Sequence, residues 1–193
     1  MRKRISLLLL CILVLICIIS CSQNDMHTTK DISIDILSQN IGNTKAIVFQ
    51  NLKLDETKDV ITDTKMLGAY TLKENQKFYS EDFQLSLNFY ADTNKDEMYG
   101  FTYSKNFKDD SEDGYNITKI LFDKLSKEYG DPNTYPGLSN KISDMPDYNK
   151  LNTDNISNYK ETWEYNKLTI TLNMDYIPNM GIRVSVQYIP SNP

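Results

Sequence analysis

Apolar and polar residues alternate along several stretches of the chain. The clearest alternation covers residues 83–89, 99–103, 168–174 and 182–188. Alternation of this kind places apolar side chains on one face of a β-strand and polar side chains on the other. Two weaker stretches, residues 66–72 and 160–165, are predicted as further strands. We therefore expect antiparallel strands with one buried face.

Another stretch has helical spacing instead. Ile117, Leu121 and Leu125 recur every four residues, which places them on one side of a helix. Acidic residues precede them, where the positive end of a helix dipole favours carboxylates. Gly130 can adopt the left-handed conformation that ends a helix, and Pro132 prevents the helix from resuming.

Both parts of the chain after residue 40 are predicted to contain one helix followed by three antiparallel strands. The first helix is expected over residues 45–54, capped by Asn43 or Thr44. Packing an apolar helix stripe against an apolar sheet face buries both. We therefore predict an α+β domain over residues 35–193, made of two similar halves at about 40–108 and 109–193.

Two short motifs accompany this repeated order of elements: Ile41-Gly42-x-Thr44 and Tyr129-Gly130-Asp131-Pro132, each followed by predicted strands. In element order the chain resembles β-lactamase-inhibitor-like proteins, which have a tandem α-β-β-β architecture. It also resembles the small envelope lipoproteins that are built on one such unit. The resemblance implies helices packed on an antiparallel sheet. It carries no function, because one fold hosts many activities.

The first twenty residues have the three parts of a secretory signal peptide. A basic head at residues 2–4 precedes an uncharged apolar run at residues 5–19, which is shorter than the ~20 residues of a typical membrane-spanning helix. Ile18-Ile19-Ser20-Cys21 follows and resembles the lipobox of bacterial lipoproteins. The resemblance implies a diacylglyceryl group on Cys21, cleavage before it, and an anchor at the extracytoplasmic face of the cell membrane. An uncleaved amino-terminal membrane anchor is the alternative.

The predicted cleavage changes the cysteine count and the charge. Cys11 and Cys17 leave with the signal peptide, so Cys21 has no thiol partner for an internal disulfide. The mature chain keeps 18 of the 21 basic residues against 26 acidic ones, a net charge of −8. Such an acidic chain is a poor candidate for nucleic acid binding. Residues 21–34 are expected to form the lipidated tether, and the acyl chains to hold the protein on the membrane.

The residue types needed for many kinds of catalysis are missing from the predicted domain. His27 is the only histidine, and it lies in the predicted tether. Nucleophilic sites that pair serine or cysteine with histidine are therefore not expected, nor are zinc sites built from histidine and cysteine. A calcium-loop-like stretch at residues 92–97 has Glu97 where glycine is required. We predict no catalytic residue, no metal site and no cofactor.

Aromatic residues on the predicted strands are the best remaining candidates for a binding surface. Trp163 and Tyr165 share one face of their strand, so they form the predicted contact surface if that face is not core. The favoured hypothesis is a membrane-anchored, non-catalytic binding module with a protein or envelope partner. The alternative is a carboxylate-based hydrolase acting on cell-envelope material, which would require two acids in one cleft.

Overall fold

A computed structural model describes residues 31–61, 68–91, 96–108, 111–133, 140–151 and 157–191. The chain divides into two compact units, residues 1–30 and residues 31–193, and all described residues belong to the second. The predicted signal peptide, Cys21 and most of the predicted tether lie outside the described residues. Within the predicted tether, the backbone N–H of Ile32 donates to the side chain of Gln76, and Ile34 packs against the core. Packing therefore begins ahead of residue 35.

Four α-helices occur in the described residues: α1 (Ile34–Gln39), α2 (Lys45–Leu52), α3 (Glu56–Asp59) and α4 (Ser111–Tyr129). A 3-10 helix follows at Tyr148–Lys150. Ser33 caps α1 by accepting from the N–H of Ile36, and Asp55 caps α3 in the same way. Helix α4 ends before Gly130, which has a φ of 89°. The predicted helices are thus present, while α1 and α3 were not predicted.

Seven antiparallel strands form one sheet in the described residues. In chain order they are β1 (Ala69–Thr71), β2 (Gln76–Phe78), β3 (Glu81–Phe89), β4 (Met98–Phe107), β5 (Ser157–Tyr165), β6 (Leu168–Ile177) and β7 (Gly181–Pro190). Their order across the sheet is β1-β3-β4-β7-β6-β5, with β2 also paired to β3. The fold is therefore mixed α+β and mostly sheet.

The strand register separates an apolar face from a polar face. Phe101 of β4 lies opposite Tyr188 of β7, which lies opposite Ile170 of β6, which lies opposite Trp163 of β5. All four side chains are buried in the core cluster. The adjacent row on the other face is polar and consists of Thr102, Gln187, Thr171 and Thr162. The alternation predicted from the sequence is thus confirmed.

Helix α4 lies against the apolar face and contacts β4 to β7. Gly114 permits a close approach of the helix to the sheet, because a Cβ atom there would come within 2.8 Å of Ile182 Cγ2 and 3.0 Å of Phe107 Cγ. Farther along the helix, the Phe122 ring packs 6.0 Å from the Trp163 ring. The carboxyl end of α4 is thereby fixed over the ends of β5 and β7, where a cleft opens.

The number of elements in the first half differs from the prediction of one helix and three strands. Residues 40–108 contain two helices, α2 and α3, and four strands, β1 to β4. The missed strand, Gln76–Phe78, has only three residues and too little alternation to detect. Residues 140–151, which lie between α4 and β5 in the chain, also contribute to the core, because Ile142, Met145 and Leu151 are buried.

Candidate functional site

A cleft of about 420 Å³ opens where α1, the end of α4 and the β5–β6 hairpin meet. This volume lies within the usual range for small-molecule sites, roughly 300–1,000 Å³. Helix α1 contributes one wall through Ser33, Ile34, Asp35 and Ser38. Ser33 is the helix cap, and the Ser38 hydroxyl donates to the carbonyl of Ile34 at 2.8 Å, so local hydrogen bonds fix this wall.

The opposite wall comes from three strands. Tyr165 pairs with Leu168, and Ile170 pairs with Tyr188, so these four residues share the apolar face of the sheet. Asn166 and Lys167 form the tight turn of the hairpin with φ values of 49° and 65°. Asn166 completes this wall of the cleft. Tyr165 and Leu168, on either side of this turn, form the end of the apolar face and line the cleft.

Glu128 and Tyr129 at the end of α4 form the third side of the cleft. The Tyr129 ring lies 5.1 Å from the Tyr165 ring, with the two planes tilted by 49°. The Tyr129 and Tyr188 hydroxyl oxygens are 3.5 Å apart, so either can donate to the other. The Tyr79 hydroxyl donates to the Glu128 carboxylate. Hydroxyl groups from β7, α4 and the β2–β3 turn therefore converge here.

The converging phenols are held in the protonated state. Burial raises the pKa of Tyr129 to about 12; the Tyr188 hydroxyl opposes this rise, and the Glu128 carboxylate adds to it. Burial raises the pKa of Tyr188 well above its usual value. Burial and the bond to Glu128 do the same for Tyr79. At neutral pH these groups therefore offer O–H donors and ring surfaces, not phenolate bases.

A second cavity of about 260 Å³ lies beside the cleft, and both are lined by Ser33 and Ile34. Its walls include Tyr79, Lys77 and Tyr103. The Tyr103 hydroxyl donates to the Ile32 carbonyl at 3.4 Å, and burial raises the pKa of this phenol. Lys77 pairs with Asp82 at 2.8 Å. Tyr79 links the two spaces, because it lines the second cavity and bonds to Glu128 of the first.

The structure separates the two residues of the predicted contact surface. Trp163 is 0% exposed, and its indole Nε1–H donates to the Gly130 carbonyl at 3.1 Å. Tyr165 lies on the same face, but 47% of it is exposed because it lies at the end of the strand, in the cleft. The contact surface was predicted on the condition that this face is not core. At Trp163 the face is core, so Trp163 cannot contribute to such a surface. Tyr165 alone remains available for contact.

Sequence reasoning missed most of the cleft. In the sequence, Tyr129 stands out only as part of a helix-ending motif, and Tyr188 only as one of several aromatic residues on alternating strands. Asp35 and Glu128 carried no signal in the sequence, since isolated acids on helices are common solvent-exposed residues. The structure brings both acids to one cleft. Within the described residues, no group of three or more His, Cys, Asp or Glu side chains could hold a metal ion.

Among the helices that the structure describes, none is long and apolar enough to cross a membrane. No model of a known protein family, no curated protein and no solved structure matches this chain. The residues that line the cleft are therefore the main evidence for a function.

Proposed function

We propose that this protein is a membrane-anchored bacterial lipoprotein whose extracytoplasmic domain binds a ligand without catalysing a reaction. The ligand site is the 420 Å³ cleft lined by Tyr129, Tyr165 and Tyr188, which we call the tyrosine cleft. The observation that carries the binding role is the convergence of Tyr129, Tyr165 and Tyr188 on one cleft of ligand size. Half-exposed Tyr165 offers contact area, while buried Tyr188 and partly buried Tyr129 present protonated hydroxyls. Rigid aromatic side chains with a polar tip suit recognition.

The position of the cleft supports a role close to the membrane. One wall of the cleft begins at Ser33, near the start of the described chain. Cys21 precedes Asp31 by ten residues, which span at most about 35 Å when fully extended. A lipid on Cys21 would therefore keep the cleft within reach of headgroups and of envelope components next to the bilayer.

The lipid anchor is tested by intact mass spectrometry of the protein from the membrane fraction. We expect a mass equal to residues 21–193 plus a diacylglyceryl group, with or without a further acyl chain. Cys21→Ala should abolish this mass and release the protein or leave it as precursor. Cys17→Ala is the matched control, because it changes a leader cysteine outside the lipobox and should leave the mature mass unchanged. A Cys21→Ala protein that is processed normally and stays in the detergent phase would contradict the anchor.

A carboxylate-based hydrolase is the second candidate function, because Asp35 and Glu128 line the same cleft. Two acids across a cleft are the minimal requirement for glycoside hydrolysis. If the wild type cleaves cell-wall glycan, Asp35→Asn or Glu128→Gln should slow cleavage by roughly 100-fold or more. Asp123→Asn, an exposed acid on the same helix as Glu128, should leave cleavage unchanged. Absence of cleavage by the wild type removes this candidate and leaves the binding role.

We also infer that the domain was built from two similar halves. The strand order supports this inference, because β1-β3-β4 and β5-β6-β7 each run from a sheet edge to its centre. The last strands of the two halves, β4 and β7, then pair antiparallel at the middle of the sheet. Helix α2 in the first half and α4 in the second correspond to the predicted helix of each unit.

A further inference from the structure

The charges at the tyrosine cleft have one sign in the described part of the chain. Asp35 and Glu128 line the cleft, and no lysine or arginine does. Asp35 has no ion-pair partner among the described residues, and Glu128 accepts a hydrogen bond from the neutral Tyr79 hydroxyl. The two carboxylates therefore disfavour an anionic ligand and favour a cationic one.

Several aromatic rings outside the cleft have a lysine over one face, whereas the Tyr129 and Tyr165 rings have none from the residues that the structure describes. Lys45 Nζ lies 4.9 Å from the centre of the Tyr70 ring, and Lys124 Nζ lies 5.6 Å from that of Tyr79. Among the described residues, no lysine or arginine lies over Tyr129 or Tyr165. A cation within about 6 Å of a tyrosine face is attracted by the electron density of the ring. The two rings pack on each other at 5.1 Å, so the sides of the rings that line the cleft are the parts available for a cation from outside.

The apolar part of the cleft narrows the class of cation. Ile34, Leu168 and Ile170 line it together with the tyrosines. A hydrated metal ion or a primary ammonium group placed on these side chains and on the ring faces, away from the two carboxylates, would lose water there without gaining a hydrogen bond. A quaternary ammonium group has no N–H to satisfy, and its methyl groups can contact both aliphatic side chains and aromatic faces. It also fits easily into about 420 Å³.

We propose that the tyrosine cleft binds a quaternary ammonium ion against the cleft-facing sides of the Tyr129 and Tyr165 rings, with Asp35 and Glu128 supplying the counter-charge. This inference rests on the proposed binding function and specifies its ligand class. The ammonium group could belong to a free solute or to a lipid headgroup, because both present the same methylated nitrogen to the cleft.

The test is calorimetric titration of the full lipidated protein, purified from membranes in a maltoside detergent that carries no ammonium group. The probes are choline, its neutral isostere dimethylbutanol, and ethanolamine, which has a primary ammonium group. We expect choline to bind roughly tenfold more tightly than either of the other two. Glycerophosphocholine distinguishes a lipid headgroup from a free solute as the source of the ammonium group. If it binds as tightly as choline, the ligand is a headgroup; if it binds more weakly, the ligand is a free solute.

Matched variants test whether choline binds in the cleft and not elsewhere on the protein. Tyr165→Ala should weaken choline binding roughly tenfold, whereas Tyr90→Ala should leave it within about twofold. Asp35→Asn, a milder change at an exposed position, should weaken choline binding and leave dimethylbutanol unaffected. Equal affinity for choline and dimethylbutanol, tighter binding of ethanolamine, or equal losses in both tyrosine variants would each overturn the inference.

The failure of this inference differs from the failure of the proposed function. A neutral or primary-amine ligand that binds the wild type but not Tyr165→Ala would overturn the quaternary ammonium and keep the binding cleft. Binding of none of the probes, together with no small molecule co-purifying from membranes, would overturn both.

Discussion

Two pairs of tyrosines have nearly the same geometry in very different surroundings. The Tyr129 and Tyr165 rings are 5.1 Å apart with a tilt of 49°, and the Tyr90 and Tyr99 rings are 5.1 Å apart with a tilt of 44°. Tyr165 is 47% exposed and Tyr90 is 49% exposed. Only the first pair lines the 420 Å³ cleft beside two acids, and the second lines neither cavity described above.

The comparison shows that exposed aromatic rings do not define a binding site by themselves. Tyr90 follows β3 directly, and its N–H donates to the Glu97 carbonyl at 3.0 Å within one hairpin. The pair at the cleft instead joins α4 to β5, with α1 as an additional wall. Convergence of elements distant in the chain creates concave space, and that space is what a ligand requires.

The largest expected effect on stability is a difference between two positions on the apolar face, one in the core and one at the cleft. Trp163→Ala removes a fully buried ring and the indole bond to Gly130, so we expect a loss of about 3–5 kcal/mol in the free energy of unfolding. Tyr165→Ala, two residues along the same face, should cost less than about 1 kcal/mol. Urea denaturation measures both values. Similar losses in the two variants would mean that Tyr165 is a structural residue.

Alkaline pH should destabilise the protein through the cleft tyrosines. An unfolded tyrosine releases its proton near pH 10.0, whereas Tyr129 in the fold retains it up to about pH 12. Above pH 10 the unfolded state therefore binds fewer protons, and stability is lost as the pH rises through this window. The raised pKa values of Tyr188, Lys45 and Lys77 act in the same direction.

Denaturation at a series of pH values, combined with tyrosinate absorbance, measures this loss. Tyr129→Phe should show a smaller fall in stability between pH 10 and pH 12, because its ring has no proton to lose. An unchanged fall in this variant would show that Tyr129 is not responsible.

A smaller effect is expected when the hydroxyl group of Tyr188 is removed. Tyr188→Phe keeps the ring stacked on Phe101 at 4.7 Å and leaves the Tyr129 hydroxyl without this partner. We expect a loss of about 1 kcal/mol in the free energy of unfolding. Tyr99→Phe is the comparison at the other tyrosine pair, and it should change stability by less than about 0.5 kcal/mol. Equal effects on the two pairs would argue against a special hydroxyl cluster at the cleft.

The sequence allowed prediction of the elements whose periodicity is long and regular. Strands β3, β4, β6 and β7 alternate over most of their length, and α4 has a four-residue apolar repeat ended by Gly130. Helices α1 and α3 have six and four residues, too short for a repeat to be visible, and β2 has three. Their positions are determined by caps and tertiary contacts instead.

The cleft could not be predicted because its residues are far apart in the chain. Asp35 and Glu128 meet only after α1 and α4 are placed on the sheet. Trp163 and Tyr165 have the same alternation and nearly the same polar neighbours, yet one is buried and the other half exposed. What distinguishes them is where α4 ends above the sheet, which is a property of the packing and not of the local sequence.

The central claim, that the cleft holds a ligand, is tested most directly by native mass spectrometry of the protein released from its own membranes. Wild type, Tyr165→Ala and Tyr90→Ala are compared under identical conditions. We predict a small molecule bound to the wild type and to Tyr90→Ala, and its loss from Tyr165→Ala. The same adduct on all three proteins, or on none, would contradict the claim.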